Sequence, residues 1–409
     1  MRPRRDELWL ISGSLVSGLA ALTFITASSR SLGLDQFGQV IQIWTIWALS
    51  AGVLGFSVQQ HVIASGGAYR NVLHVLRSRE TLRVLVPLMS GIAVVTAVWG
   101  PEIFGDSSVI WPVIATLIPP GCAATSAAMG LWAVRRNFRF VAILMALENV
   151  LRAAAALLLC IFDSGSGSFA LAILLGFGVA CFAPSSGSPT NKTNRQTTHT
   201  YGAAVAGLIA YATLVMSPMI MAIKSVDVVG TSSTFLVLAL LRAPYQFALS
   251  LVPKLAANWQ STRHRTGKHD QVDQQDQRSV SPRLVPAFWT VSGIAAVAIG
   301  TPVAVRILFG TTVGVSIVQS LFATGATALA VVNIALTLAA VSARLDRQLI
   351  AVWLAAAVTG LIYVSMTSAL SLTSMLCTVG VVELGVTVGL STLLTRRGVP
   401  LFVGEYRDE

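Results

Sequence analysis

The sequence predicts an all-α membrane protein of about twelve transmembrane helices, arranged as two six-helix bundles related by a pseudo-two-fold axis along the membrane normal. Three observations predict it. First, 54% of the 409 residues are hydrophobic and only 11% are charged, with a mean hydropathy of +0.73; a soluble domain carries about 25% charged residues. Second, apolar runs long enough to cross a bilayer, roughly 20 residues each, recur along the whole chain. Third, the basic residues fall almost entirely between alternate pairs of runs, and a polar linker divides the runs six and six.

The runs span residues 8–29, 37–63, 84–100, 109–134, 140–162, 168–183, 201–222, 231–252, 284–308, 314–342, 349–369 and 374–395. The first follows Arg2, Arg4 and Arg5 and resembles a signal peptide. Its apolar stretch is longer than the usual 7–15 residues of such a segment, which makes it an uncleaved helix. The second and third runs are parted by Arg70, Arg77, Arg79 and Arg83; the fourth and fifth by Arg135, Arg136 and Arg139. The sixth and seventh flank Lys192 and Arg195, and the eighth and ninth flank Lys254, Arg263, Arg265, Lys268, Arg278 and Arg283. Arg344 and Arg347 part the tenth and eleventh, and Arg396, Arg397 and Arg407 follow the twelfth. Interior prolines (Pro119, Pro120, Pro218, Pro244, Pro302) are compatible with membrane helices wherever neighbours or a cavity satisfy the freed carbonyls.

With the N-terminus in the cytoplasm, 23 of the 28 basic residues face inward, Arg30 and Lys224 lie in outer loops, and Arg152, Arg242 and Arg306 lie within spans. Lys and Arg collect on the cytoplasmic side of membrane proteins, so both termini are predicted to be cytoplasmic, in a multi-pass protein of the cell membrane. The net charge of +11 has the same origin and does not point to nucleic acid. Single cysteines introduced at Ser164 and Ser371 should therefore react with an impermeant thiol reagent from outside, and cysteines at Ser186 and Ser261 should not. Outside labelling at Ser186 would overturn the two-half reading.

The predicted organisation is a first six-helix bundle over 1–184, a cytoplasmic linker over 185–200 and a second bundle over 201–395 with a polar cytoplasmic loop at 258–283. A cytoplasmic tail follows at 396–409. Six helices per half give both halves the same direction of entry, as in a parallel repeat. Phe37 and Phe235 each open the second helix of a half, and R-x-x-R follows the fourth helix of each (Arg136/Arg139, Arg344/Arg347). Duplicated six-helix halves point to an alternating-access transporter with its site between them.

Within the spans stand five charges: Glu148 and Arg152 in the fifth, Arg242 in the eighth, Arg306 near the outer end of the ninth and Glu383 in the twelfth. A charge in mid-span costs about 2.5–3.5 kcal/mol on insertion scales, so each should face protein or water. Glu148 and Arg152, spaced i, i+4 with the acid first, can neutralise each other. Arg306 is close enough to the interface to extend its head group into water, and Glu383 has no partner visible in sequence. Arg242 lies far from either end of its span, next to Pro244. If Arg30, Arg152 and Arg242 line one cavity, with Glu148 modulating the charge, that cavity is cationic and suits an anionic substrate. Guanidinium groups bind phosphate oxygens in bidentate fashion.

The stretch "SSRSLGLDQFGQVIQIWTIWALSAGVLGFSVQQHVIA" resembles the first two helices of polysaccharide-repeat (Wzx-type, O-antigen) flippases, with Arg30, Leu32, Gly33, Phe37 and Gly38 in an R-x-L-G-x-x-x-F-G element. "MGLWAVRRNFRFVAILMALENVLRAAAALLL" resembles the turn from the fourth to the fifth helix in that family, and "LLRAPYQFALSLVPKLA" its eighth helix. These flippases belong to the multidrug/oligosaccharidyl-lipid/polysaccharide exporter (MOP) superfamily. The resemblance implies movement of an undecaprenyl-pyrophosphate-linked oligosaccharide to the outer leaflet for cell-surface polysaccharide assembly. It implies substrate-binding roles for Arg30, Arg152 and Arg242, and partnership with a polysaccharide polymerase and glycosyltransferases. Coupling to H+ or Na+ varies in the family, and no ion site is recognisable in the sequence.

Four rivals remain, one of them a non-transporting membrane scaffold. A lipid II-type peptidoglycan precursor flippase usually has more than twelve helices. A multidrug/cation antiporter would want acids in its first half to hold cationic drugs, whereas the first helix has none and the cavity candidates are mostly Arg. A membrane glycan polymerase commonly has a long external loop, and every outer loop here is eight residues or shorter. No Ser/His/Asp set, metal-ligand spacing or phosphate-binding glycine loop is present, so no covalent chemistry and no cofactor or metal is expected. Cys122, Cys160, Cys181 and Cys377 lie in apolar stretches without C-x-x-C spacing.

Overall fold

Lipid offers no partner to a backbone N–H or C=O, so a chain this apolar closes its hydrogen bonds within helices. A computed structural model describes residues 3–65, 69–184, 209, 212, 217–224, 228–241, 300–309, 315–342, 345–367 and 371–397. Every regular element among them is helical. Among the described residues, seven helices are long and apolar enough to cross a membrane.

The first of these, α1 (Pro3–Ala64), is two helices joined at Gly33, whose φ of 69° and ψ of 168° break the helical path. A β-carbon is strained at that φ, and glycine has none. The arm before Gly33 and the arm after it correspond to the first two expected spans. Arg30, expected in a loop, is instead helical up to the bend. A short helix α2 (Val72–Leu76) and α3 (Arg79–Val98) follow. Ser78 caps α3 by accepting the Thr81 N–H. The cap sets the helix start several residues before the expected position 84. After α3 comes a short helix, α4 (Gly100–Phe104), closed by Gly105 at φ 65°.

Helices α5 (Ile110–Val134), α6 (Phe138–Ile161) and α7 (Ser166–Leu175) complete the first half. Asn137 caps α6 by accepting the Phe140 N–H. Past Leu175 the chain tightens into a 3-10 helix over Gly176–Phe182. The sixth expected span, 168–183, is therefore a composite. Both arms of α1, with α5, α6 and α7, enclose a core containing Phe24, Ile41, Ile114, Ala123 and Phe169.

The second half is described as α8 (Ser217–Lys224), α9 (Val228–Leu241), α10 (Gly300–Phe309), α11 (Ile317–Ser342), α12 (Asp346–Met366) and α13 (Leu372–Arg396). The last three match the final three expected spans to within a few residues. A capping box between Ser371 and Ser374 opens α13. Leu349, Trp353, Val386 and Leu390 pack between α12 and α13. The rest of the expected spans 201–222, 231–252 and 284–308, the linker, the 258–283 loop and the 398–409 part of the tail lie outside the described residues, as does Arg242.

Candidate functional site

One turn of α6 brings Glu148 and Arg152 together. Arg152 Nη2 donates to Glu148 Oε1 at 2.7 Å. The i, i+4 spacing that makes the pair is local; what surrounds it is not. Arg152 Nη1 donates to Asn149 Oδ1 at 2.9 Å and Nε to the main-chain oxygen of Ile173 at 2.9 Å, in the last turn of α7. Asn149 in turn donates to Ser17 Oγ at 2.7 Å, tying in the first arm of α1. The guanidinium carbon lies 4.4 Å from the ring centroid of Trp47 and 5.3 Å from that of Phe177, within the range of cation–π attraction. A β-carbon at Gly176 would stand 2.6 Å from the guanidinium, so a larger residue there would force Arg152 to shift.

Arg152 is therefore 0% exposed. The expectation that its head group lines an open cavity is not met in this conformation. All three nitrogens are bonded inside the first half, with Trp47 over the guanidinium. Trp47 also packs against the apolar cluster that carries Ala326 and Ala330 of α11, so it stands between Arg152 and the second half of the chain.

Arg30 is placed elsewhere. Its Nη2 donates to the Ile307 oxygen at 2.8 Å and its Nε to the Leu308 oxygen at 3.1 Å. These carbonyls belong to the last turn of α10, where four carbonyls lack helical partners and the helix dipole favours a cation. Nearby, Ser232 Oγ of α9 donates to the Leu34 oxygen at 2.9 Å. Phe37 and Phe235, expected only as equivalent positions in the two halves, meet edge to face with centroids 6.5 Å apart. Helix α4 lies against α8. Together these contacts join the halves at the end that the charge pattern assigns to the outside.

The structure thus brings Glu148 and Arg152 together but holds Arg30 in a separate seal. Arg306 is exposed on α10, and Glu383 is fully buried in α13. Sequence reasoning missed Trp47, Asn149 and Ser232; only Asn149, inside the quoted fifth-helix motif, stood next to a recognised position. Among the described residues no group of three or more His, Cys, Asp or Glu side chains could hold a metal ion, and all four cysteines are free.

No family model and no curated protein matches the sequence. Solved structures do. A eukaryotic MATE transporter superposes with a TM-score of 0.58 at 12% identity, covering 96% of each chain. The chain has the fold of the MATE transporters. A Vibrio cholerae MATE transporter gives a TM-score of 0.56 at 13% identity over 97% of this chain and 98% of that one. A MOP superfamily transporter from Pyrococcus furiosus, described by its reversed binding-pocket polarity and inferred to differ in function, gives 0.54 at 11% identity over 97% and 94%. The MATE fold accounts for the all-helical architecture.

Proposed function

We propose that this chain is an alternating-access flippase, not an enzyme, with twelve helices in two six-helix bundles. Its cargo is an anionic lipid-pyrophosphate-linked oligosaccharide, moved from the inner to the outer leaflet of the cell membrane for surface polysaccharide assembly. The observation that carries the reading is the sign of the charge inside the spans. Arg152, Arg242 and Arg306 stand there against Glu148 and Glu383, with Arg30 at the outer mouth, and Glu148 is already spent on Arg152. The excess is positive, which attracts pyrophosphate and repels the organic cations that a multidrug antiporter would carry. The reversed polarity described for the P. furiosus transporter supports the idea that one fold serves pockets of opposite sign.

In this reading Arg30 and Arg242 meet the pyrophosphate directly. Arg30 becomes available when the outer seal opens, and Arg152 when the Trp47 indole turns aside. Glu148 holds Arg152 in place and moderates its charge. The partners would be the polymerase and glycosyltransferases that act on the same lipid-linked glycan.

A pyrophosphate diester carries about two negative charges, so outward movement down an inside-negative potential of 100 mV gains roughly 4–5 kcal/mol, at about 2.3 kcal/mol per charge. Proteoliposomes holding a fluorescent lipid-pyrophosphate oligosaccharide are therefore expected to flip it faster when such a potential is imposed and the proton and sodium gradients are clamped at zero. Flipping no faster than in protein-free vesicles, with uptake of a cationic dye instead, would replace this reading by the antiporter.

A further inference from the structure

Glu383 occupies the middle of α13 and is 0% exposed. Its Oε2 accepts from Asn333 Nδ2 of α11 at 2.7 Å, and the same nitrogen donates to the Glu383 main-chain oxygen at 2.9 Å. A main-chain oxygen can only accept, so it fixes the amide: Asn333 turns its N–H2, not its oxygen, toward the acid. Asn333 Oδ1 faces the other way, 2.9 Å from Thr387 Oγ1, whose hydroxyl also stands 2.8 Å from the Glu383 main-chain oxygen. Glu383 Oε1 has no hydrogen-bond partner among the described residues.

This arrangement discriminates between the forms the group can take. A bare carboxylate in a dry interior costs far more than one unmade hydrogen bond, and a single amide is poor compensation. A metal cation would need oxygens converging on the carboxylate, whereas Asn333 offers a donor there. A neutral acid fits: Oε2 accepts as a carbonyl oxygen, and Oε1 carries the proton. No charge on the described neighbouring elements alters this. Helix α11 has no titratable side chain; on α12, Asp346, Arg347 and Tyr363 lie toward the ends; on α13, Cys377 is nearly two turns away and Arg396 closes the helix.

The site is also beside a surface that moves in the transport reading. Val379, one turn from Glu383, belongs to the apolar cluster that joins Ala48, Leu49 and Val53 of the second arm of α1 to Ala326 and Ala330 of α11. Separation of the two halves there would bring water within one helical turn of the acid.

We infer that Glu383 is a proton-binding site of the transport cycle: neutral while the halves are packed as here, and ionised when their separation admits water. In the step, the O–H bond at Oε1 breaks heterolytically, the electron pair stays on the carboxylate, and the proton passes to water. This rests on the transport reading for its place in a cycle, but not for the state of the acid.

The test has two arms. Infrared spectra of the purified full-length protein should show, at neutral pH, a protonated-carboxyl carbonyl band that disappears in Glu383→Gln. The glutamine variant, which imitates a neutral acid, should keep wild-type abundance and melting temperature. In proteoliposomes, a gradient of one pH unit should shift lipid-linked anion distribution by up to about tenfold per proton exchanged in the wild type, and not at all in Glu383→Gln. Absence of the band, or a marked fall in melting temperature in the variant, would mean a charged carboxylate balanced by a cation such as Arg242 and would overturn the inference. So would a pH-gradient response in the variant equal to that of wild type. Failure of the flippase reading alone leaves the infrared result standing, so the two failures are distinguishable.

Discussion

Replacing Arg152 with glutamine is expected to strip the protein from the membrane, and replacing Glu148 with glutamine at the same time is expected to bring it back. The single change leaves Glu148, itself buried, facing the position of a lost cation at 2.7 Å. It also removes the donors to Asn149 and Ile173. Removing one partner of a buried pair costs about 3–5 kcal/mol, whereas removing both can be nearly neutral. That single loss is comparable with the whole stability margin of many domains, about 5–15 kcal/mol. The flippase reading adds a second expectation: the double variant, restored in abundance, still fails to move lipid-linked glycan because the pyrophosphate has lost a partner. Abundance and export measured together in the two single variants and the double variant decide it. Full export by the double variant would remove Arg152 from the substrate site and leave the pair as packing.

The second large effect concerns the outer seal. With the four native cysteines replaced, the double variant Phe37→Cys, Phe235→Cys should be joined by a short bismaleimide, because the two rings lie 6.5 Å apart between the halves. Alternating access requires these positions to separate. Cross-linked protein is therefore expected to lose essentially all flipping, while either single variant treated with the same reagent keeps most of it. Undiminished flipping after complete cross-linking would show that the halves do not part at this end.

The long helices were legible because the bilayer imposes one solution on any run of about 20 apolar residues. The three final helices and α5 and α6 follow directly from that rule. What was not legible came from contacts distant in sequence. The 3-10 turn after Leu175 lies where Arg152 reaches the Ile173 carbonyl and where Phe177 takes the space above Gly121, and no local pattern announces either. The i, i+4 spacing revealed the Glu148–Arg152 pair, but not the aromatic enclosure by Trp47 and Phe177, which arrives from two other helices. Arg30 was recognisable as an unusual cation, but its partners are main-chain oxygens 277 and 278 residues away, and these carry no residue signature. Glu383 stood out as an unpaired acid; Asn333, 50 residues earlier, looked like one more polar side chain.

The three polar bonds of the outer seal are reciprocal in an unusual sense. Arg30 of the first half grips carbonyls of the second, and Ser232 of the second grips a carbonyl of the first. In each, one side is a side chain that mutation can delete and the other is backbone that mutation cannot. Substitutions at Ile307, Leu308 or Leu34 change the side chain but leave the acceptor in place, so the polar part of the seal presents only half of itself to genetic variation. Compensating pairs of substitutions, the usual trace of a contact in a set of related sequences, can act on the Phe37–Phe235 contact but have nothing to act on in these polar bonds. A screen for variants that open this seal would find its polar lesions, among the described residues, at Arg30 and Ser232, and second-site suppressors would have to arise by building new contacts, not by repairing old ones.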